Sequence, residues 1–394
     1  MRLRRGRGPE TVRDWPSVTA SSPPGPLASG LVVDARRGAA WGSLLGLQRY
    51  QRALLAAKHA GLSPLHLWLP EGDSARAAAE AWTRDPRLGG APIVLTSLES
   101  ELPAFPRVEG AAVFDAAAAK TLLDPVNPLG EGFFWPAETP GAAGALLRSL
   151  ENPSDGLVDT YLNRPLSRLL SRALVPTGIS PNAVTLLACL VGLVGVALIA
   201  TRRYDLALAG ALLFQLSAVL DCVDGEIARL TYRFSPLGAR LDLSLDNGVH
   251  VLLFLALGWA SAPAIGYPLA LGLGISAALG ALISFALVYR LTFSTPADSR
   301  GARVELLLER FANRDFSLLV LALCAAGRPE LLVWLFGCAT HGFWLVLLWV
   351  SRRPREESSE DVIRREGSAD EGAGSGQRRT LARAEREERR DPAE

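Results

Sequence analysis

The chain has 394 residues, 49% of them hydrophobic and 21% charged, with a formal net charge of +1. That length suggests two or three domains, and the neutral balance supplies no basic field, so no nucleic-acid partner is expected. The four cysteines, Cys189, Cys222, Cys324 and Cys338, stand in apolar segments; without metal-ligand or disulfide-framework spacing they read as small buried hydrophobes.

Residues 1–28 are rich in Arg, Pro, Ser and Gly and are expected to be disordered. Their start, MRLRRGRGPE, is basic but leads into no apolar stretch. A cleaved signal peptide is therefore not expected, and the N-terminal region is assigned to the cytoplasm. Residues 29–150 alternate short β-like runs with helix-like ones. GLVVDA (30–35), PLHLWL (64–69), APIVLTS (91–97) and GAAVFD (110–115) read as strands, and WGSLLGLQRYQRALLAAKHAGL (41–62) as an amphipathic helix closed by Gly61. That order predicts a small α/β domain on a mostly parallel sheet.

Within residues 151–178, LVDTYLNRPLSRLLSR (157–172) puts Leu162, Leu166, Leu169 and Leu170 on one helical face. Arg164, Arg168 and Arg172 recur at every fourth position on another. This is the pattern of a juxtamembrane helix lying on a bilayer with its Arg side chains near anionic headgroups. Residues 179–351 then hold six apolar runs, at about 182–200, 204–226, 238–261, 268–293, 315–327 and 331–350. Most reach the roughly 20 residues that cross a bilayer core, the fifth being the shortest. Arg233 and Arg240 follow the second run, Arg290, Arg300, Arg303, Arg310 and Arg314 the fourth, and Arg352, Arg353 and Arg355 the sixth; the opposite side holds Arg202, Arg203 and Arg328. The positive-inside bias places both termini in the cytoplasm, with the cell (inner) membrane as the location. Residues 352–394 mix Arg, Glu, Ser and Gly without apolar period and read as a charged disordered tail. The expected fold class is a multi-pass α-helical membrane protein of six transmembrane helices with a small cytoplasmic α/β N-terminal domain.

Between the second and third runs stands DCVDGEIARLTYRFSPLGARLDLSLD (221–246). Asp221 and Asp224 are i,i+3 neighbours on one helix face, and Asp242 and Asp246 i,i+4 neighbours on the next. The short connection makes the two helices antiparallel, so the pairs can face each other. An ionised Asp in a membrane helix costs up to about 3 kcal/mol, and four converging carboxylates repel. A divalent cation removes that conflict. Hard oxygen ligands on rigid elements suit Mg²⁺ or Mn²⁺, with room for two ions. Gly225, Ala228 and Gly238 leave space for a ligand or another helix at the backbone.

The pattern Asp221-x2-Asp224-Gly225-x2-Ala228-Arg229-x8-Gly238-x3-Asp242-x3-Asp246 resembles, at all eight positions, the signature of the CDP-alcohol phosphotransferases. The resemblance covers about 155–350. It implies a six-helix membrane fold, often a homodimer, with a polar cavity open to the cytoplasm. It further implies that Asp221, Asp224 and Asp242 hold the metal pair, and that Asp246 touches a metal and serves as general base. Gly225, Ala228, Arg229, Ser235 and Gly238 would line the CDP-linked donor, as would Asn182 and Thr185 in SPNAVT (180–185). The implied reaction moves a phosphoryl-alcohol group from that donor to an acceptor hydroxyl and releases CMP, as in phospholipid biosynthesis.

DGLVDTYLNRPLSRLL (155–170) and RFANRDFSLL (310–319) are similar to one branch of this family. There the membrane domain is fused behind a nucleotidyltransferase, as in bifunctional inositol-1-phosphate cytidylyltransferase and di-myo-inositol-phosphate phosphate synthase. GLQRYQRALLAAKHAGL (46–62) and FFWPAETPGAAGALLRSL (133–150) resemble the first helix and closing segment of such a nucleotidyltransferase. Yet RRGAAWGSLLG makes a poor phosphate loop, and Lys occurs only at Lys58 and Lys120, so the domain reads as degenerate. Two donors stay open, CDP-diacylglycerol and soluble CDP-inositol. Arg290, Arg303, Arg310 and Arg314 are candidates for an acceptor phosphate such as an inositol phosphate; topology and headgroup binding account for them equally. A transporter would place acids at mid-membrane on inverted repeats, whereas these gather at one end. An inactive scaffold would lack a signature Asp, and none is lacking.

Overall fold

A computed structural model describes residues 30–121, 134–135, 140–150, 155–295, 304, 307–308 and 315–352. The segments expected to be disordered, 1–28 and all but the first residue of 352–394, lie outside the described residues, as do Arg303, Arg310 and Arg314.

Strands β1 (Leu31–Asp34), β4 (Leu65–Trp68), β5 (Ile93–Thr96) and β6 (Arg107–Glu109) form one parallel sheet in the order β5-β4-β1-β6. Leu31, Val32 and Val33 are fully buried, as expected for a continuous apolar run in a parallel sheet covered on both faces. The expected long helix over 41–62 is shorter. Residues 43–48 make a tight ribbon of β2 (Ser43–Leu44) and β3 (Leu47–Gln48), because Leu45 and Gly46 take positive φ of 46° and 77°. Helix α1 (Arg49–His59) starts after it on a Gln48/Gln51 capping box. The expected strand at 110–115 divides as well. The sheet strand ends at Glu109, Gly110 turns against the Asp34 carbonyl, and β7 (Val113–Phe114) pairs instead with β8 (Phe134–Trp135). Helices α2 (Asp73–Thr83), α3 (Ala116–Thr121) and α4 (Ala142–Arg148) also belong to the N-terminal part.

A wide π-type turn (Asp159–Asn163) leads into α5 (Arg164–Leu174). Then come, among the described residues, five helices long and apolar enough to cross a membrane: α6 (Pro181–Ile199), α7 (Tyr204–Thr231), α8 (Pro236–Ile265), α9 (Tyr267–Phe293) and α11 (Pro329–Ser351). The protein is therefore an integral membrane protein. The fifth expected run is α10 (Phe316–Ala325), an apolar helix of ten residues. At 1.5 Å per residue that is about 15 Å, half a bilayer core. Small residues set the helix spacing. A Cβ on Gly195 or Gly210 would strike the other's carbonyl across the α6–α7 contact, and one on Gly258 or Gly274 would strike the other's Cα across the α8–α9 contact.

The α5 helix differs from its expected pose. Its buried face is polar: Asn163, Arg164, Ser167 and Ser171, while Leu166 and Leu169 point outward at 44% and 68% exposure. Leu170, by contrast, packs against the apolar cluster of Val223, Ile227 and Leu230. Asp315, just ahead of α10, accepts hydrogen bonds from the backbone N–H groups of Leu157, Val158 and Asp159 at 3.0, 2.9 and 3.4 Å. It caps this helix entry from 156 residues away, and a Cβ on Gly156 would collide with its carboxylate. Asp315→Ala is expected to destabilise the fold by about 1–2 kcal/mol, seen as a lower thermal midpoint in detergent.

Candidate active site

Helix α7 carries Asp221 and Asp224 near its C-terminal end, 8% and 4% exposed. Helix α8 begins after a four-residue connection, with Ser235 as N-cap accepting from Gly238 N at 3.0 Å and Pro236 at the first position. Asp242 and Asp246 follow on its first turns. One carboxylate oxygen from each of Asp221, Asp224 and Asp242 lies within 4.8 Å of the other two. Two unit negative charges about 4 Å apart repel by about 4 kcal/mol at an effective dielectric of 20. Asp242 Oδ1 is buried with no hydrogen-bond partner among the described residues. A buried carboxylate oxygen left without a donor, in a group of like charges, fits a divalent cation held by oxygen ligands. Thr185, expected at the nucleotide, donates from Oγ1 to Asp224 Oδ2 at 2.5 Å and so orients that carboxylate.

Asp246 lies beside this group rather than within it. Its Oδ1 is 3.5 Å from His250 Nε2, one turn on. It faces a cavity of about 250 Å³, open mouth included, between α6, α7 and α8, lined by Thr185, Ser217, Asp221 and Val249 among others. Asn182 is exposed at the start of α6, and a Cβ on Gly238 would sit 3.0 Å from its Oδ1 and 3.1 Å from Ser235 Oγ. So Asn182, Ser235 and Gly238 meet at one mouth of the site. Arg229 is exposed and folds back to donate from Nε to the Gly225 carbonyl at 3.1 Å. Ala228, on the same turn, is half-buried. Among the described residues, a Cβ on Gly225 would meet only Arg229 Nη2, at 3.5 Å. Arg290 is exposed in the last turn of α9 and is the described member of the four acceptor-phosphate candidates.

Behind the aspartates lies a polar network that no local pattern announced. Glu226, 1% exposed, accepts from Ser167 Oγ at 2.6 Å and Ser171 Oγ at 2.7 Å, with Arg164 Nη1 at 3.5 Å. Arg164 also pairs in bidentate fashion with Asp155, at 2.9 and 3.0 Å. Burial works against its charge, but the Asp155 bond holds the guanidinium above its ordinary pKa. Asn163 joins the same layer, accepting from Gln215 Nε2 and donating to Asp159, both at 2.7 Å. Thus α5 is fastened to α7 at Glu226, two residues from Asp224. The Arg164 expected at headgroups is part of this core instead.

The described site coincides with a family match: residues 178–351 fit the family model of the CDP-alcohol phosphatidyltransferases. Residues 178–351 are a CDP-alcohol phosphatidyltransferase domain. All four signature aspartates and the Asn182–Thr185 entry lie inside it. The chain is also similar to proteins named bifunctional IPC transferase and DIPP synthase. One, from Thermococcus kodakarensis, is 35% identical over 137 residues, 33% of this chain and 31% of that protein. Another, from Rubrobacter xylanophilus, is 41% identical over 119 residues, 29% of this chain and 27% of that protein. An archaetidylinositol phosphate synthase of Aeropyrum pernix is 43% identical over 67 residues, 14% of this chain and 34% of that protein. The chain thus spans about a third of the length of these curated relatives.

Proposed function

We propose that the protein is a metal-dependent CDP-alcohol phosphotransferase, which moves a phosphoryl-alcohol group from a CDP-linked donor to an acceptor hydroxyl and releases CMP. The observation that carries this is the convergence of Asp221, Asp224 and Asp242 from two helices of a CDP-alcohol phosphatidyltransferase domain. Those three carboxylates, with Asp246 at their edge, would hold one or two Mg²⁺ or Mn²⁺ ions. Bound there, the metal supplies neutralisation of the donor's pyrophosphate charge. The chain's own residues do the rest. Asp246, at the cavity, accepts the acceptor hydroxyl's proton as that oxygen attacks the β-phosphorus. Gly225, Ala228 and Arg229 on α7, with Asn182, Ser235 and Gly238, grip the cytidine diphosphate, and Thr185 keeps Asp224 in place. Arg290, Arg303, Arg310 and Arg314 bind a phosphate on the acceptor. Both termini and the site face the cytoplasm of the cell membrane, by the distribution of Arg between the loops. Two copies pair in the bilayer.

The relatives' names include DIPP synthase and archaetidylinositol phosphate synthase. They support an inositol-type acceptor and leave two donors, CDP-diacylglycerol and soluble CDP-inositol. The test is CMP release by purified protein with Mg²⁺ or Mn²⁺. Each donor is offered against inositol, inositol phosphate, glycerol phosphate and serine. Turnover with one pair supports the reading and identifies the substrates; silence across the panel with a folded protein contradicts it.

Gly225→Ala separates the donor contact from the fold. The added methyl has ordinary clearance in the protein itself, so the thermal midpoint is expected to hold. The donor KM is expected to rise by about tenfold, since the methyl takes up space meant for the ligand.

A further inference from the structure

The connection between the two aspartate-bearing helices is held by the N-terminal domain. Arg52, on α1, is 1% exposed and donates from Nη1 to the Leu230 carbonyl at 2.7 Å. Its Nη2 donates to the carbonyls of Leu44 and Leu45 at 2.9 and 3.1 Å. Burial pushes the guanidinium down to about 10, so it stays charged at neutral pH. Among the described residues no carboxylate balances it. Its partners are carbonyls, one of them at the C-terminal, negative end of α7. Arg87, itself clasped by Asp85, donates to the next carbonyl, Thr231 O, at 3.0 Å.

The following residue, Tyr232, takes a left-handed φ of 54°, a strained state for a residue with a side chain. Its ring is driven into the N-terminal domain, stacked on His59 at 5.5 Å and packed beside Leu55 and Leu88. Phe234 meets His59 at 4.9 Å. Below this, Leu44 of the β2–β3 ribbon shares an apolar cluster with Val223, Ile227 and Leu230 of α7. Asp224 stands six residues before Leu230 and Asp242 six residues after Pro236, each about 9 Å along its helix. The clasped segment is therefore the pivot from which both ligand sets hang.

We propose that the N-terminal domain is a clamp that fixes the spacing of the two aspartate-bearing helices, with Arg52 and Tyr232 as its positioning residues. The clamp rests on the metal-site reading above. Loosening it lets α7 and α8 part, and the three carboxylates lose their common centre. The cost falls on metal affinity rather than on the chemistry of the assembled site.

The test is Mn²⁺ binding to the full-length protein in detergent without any nucleotide, followed by the spin signal of free Mn²⁺. Arg52→Met keeps the apolar stem and removes the carbonyl bonds. Tyr232→Gly removes the anchor at a φ that glycine accepts. Each is expected to weaken Mn²⁺ binding by about tenfold. Each should also raise the metal needed for half-maximal CMP release to match, with kcat at saturating metal within about threefold of wild type. Arg52→Lys, which retains a donor for these carbonyls, should recover part of the affinity. Wild-type Mn²⁺ affinity in both variants, alongside its loss in Asp242→Asn, overturns the clamp and leaves the metal site standing. Undiminished Mn²⁺ binding in Asp242→Asn removes the metal site, and the clamp with it. Should Arg52→Met fail to fold, Tyr232→Gly decides.

Discussion

Asp246→Asn is expected to lower CMP release by about a thousandfold while the protein still binds Mn²⁺. The carboxylate stands at the cavity edge, outside the group formed by Asp221, Asp224 and Asp242. The amide keeps its size but cannot take a proton, and general-base catalysis is worth about 10²–10⁴ in rate. Asp242→Asn should act differently. It alters the oxygen that is buried without a partner among the described residues, so metal binding and turnover fall together. Parallel Mn²⁺ titrations and CMP assays on the two variants separate the roles. Equal loss of Mn²⁺ binding in both would make Asp246 an essential ligand instead of a base.

Glu226→Ala is expected to destabilise the protein by about 3 kcal/mol, although the residue touches no proposed substrate. The change strips the buried Ser171 hydroxyl of its acceptor, leaves Ser167 with the Arg164 carbonyl at 3.2 Å, and leaves Arg164 with Asp155 as its carboxylate among the described residues. Removing one partner of a buried charged network costs about 3–5 kcal/mol, more than the intact network contributes over an apolar replacement. Arg164→Met combined with Glu226→Leu should therefore recover much of the loss. Thermal unfolding in detergent reads both; a midpoint unchanged in Glu226→Ala would show that the network carries no stability.

The membrane spans were readable because each is a long apolar run, and the four aspartates because their i,i+3 and i,i+4 spacings fix a helix face whatever the tertiary fold. The strands at Leu31–Asp34, Leu65–Trp68 and Ile93–Thr96 were readable as short apolar blocks. Contacts between remote segments were not. Glu226 sits within the aspartate pattern as an unassigned position, and its partners Ser167 and Ser171 are 59 and 55 residues away. Arg164 belongs to a periodic Arg series that local reasoning assigns to headgroups, yet burial selects it out of that series. Asp315 caps a helix entry from across the chain, which accounts physically for Gly156 and Asp315 in the two family-like stretches around them. Arg52 looks like one more polar residue of an amphipathic helix until α7 is placed above it. The ribbon at 43–48 was hidden because Leu45, a residue that ordinarily favours helix, adopts a positive φ imposed by the docking of Leu44 and Gly46 against α7 and Val175.

The most direct measurement is CMP release from the CDP-linked donor by the purified full-length protein, stripped with EDTA and then titrated with Mg²⁺ or Mn²⁺. No release is expected after EDTA, recovery is expected on adding metal, and none is expected at any metal concentration in Asp242→Asn. Release that persists in EDTA and survives Asp242→Asn would contradict the metal-site reading, because turnover would then owe nothing to the three carboxylates that α7 and α8 bring together.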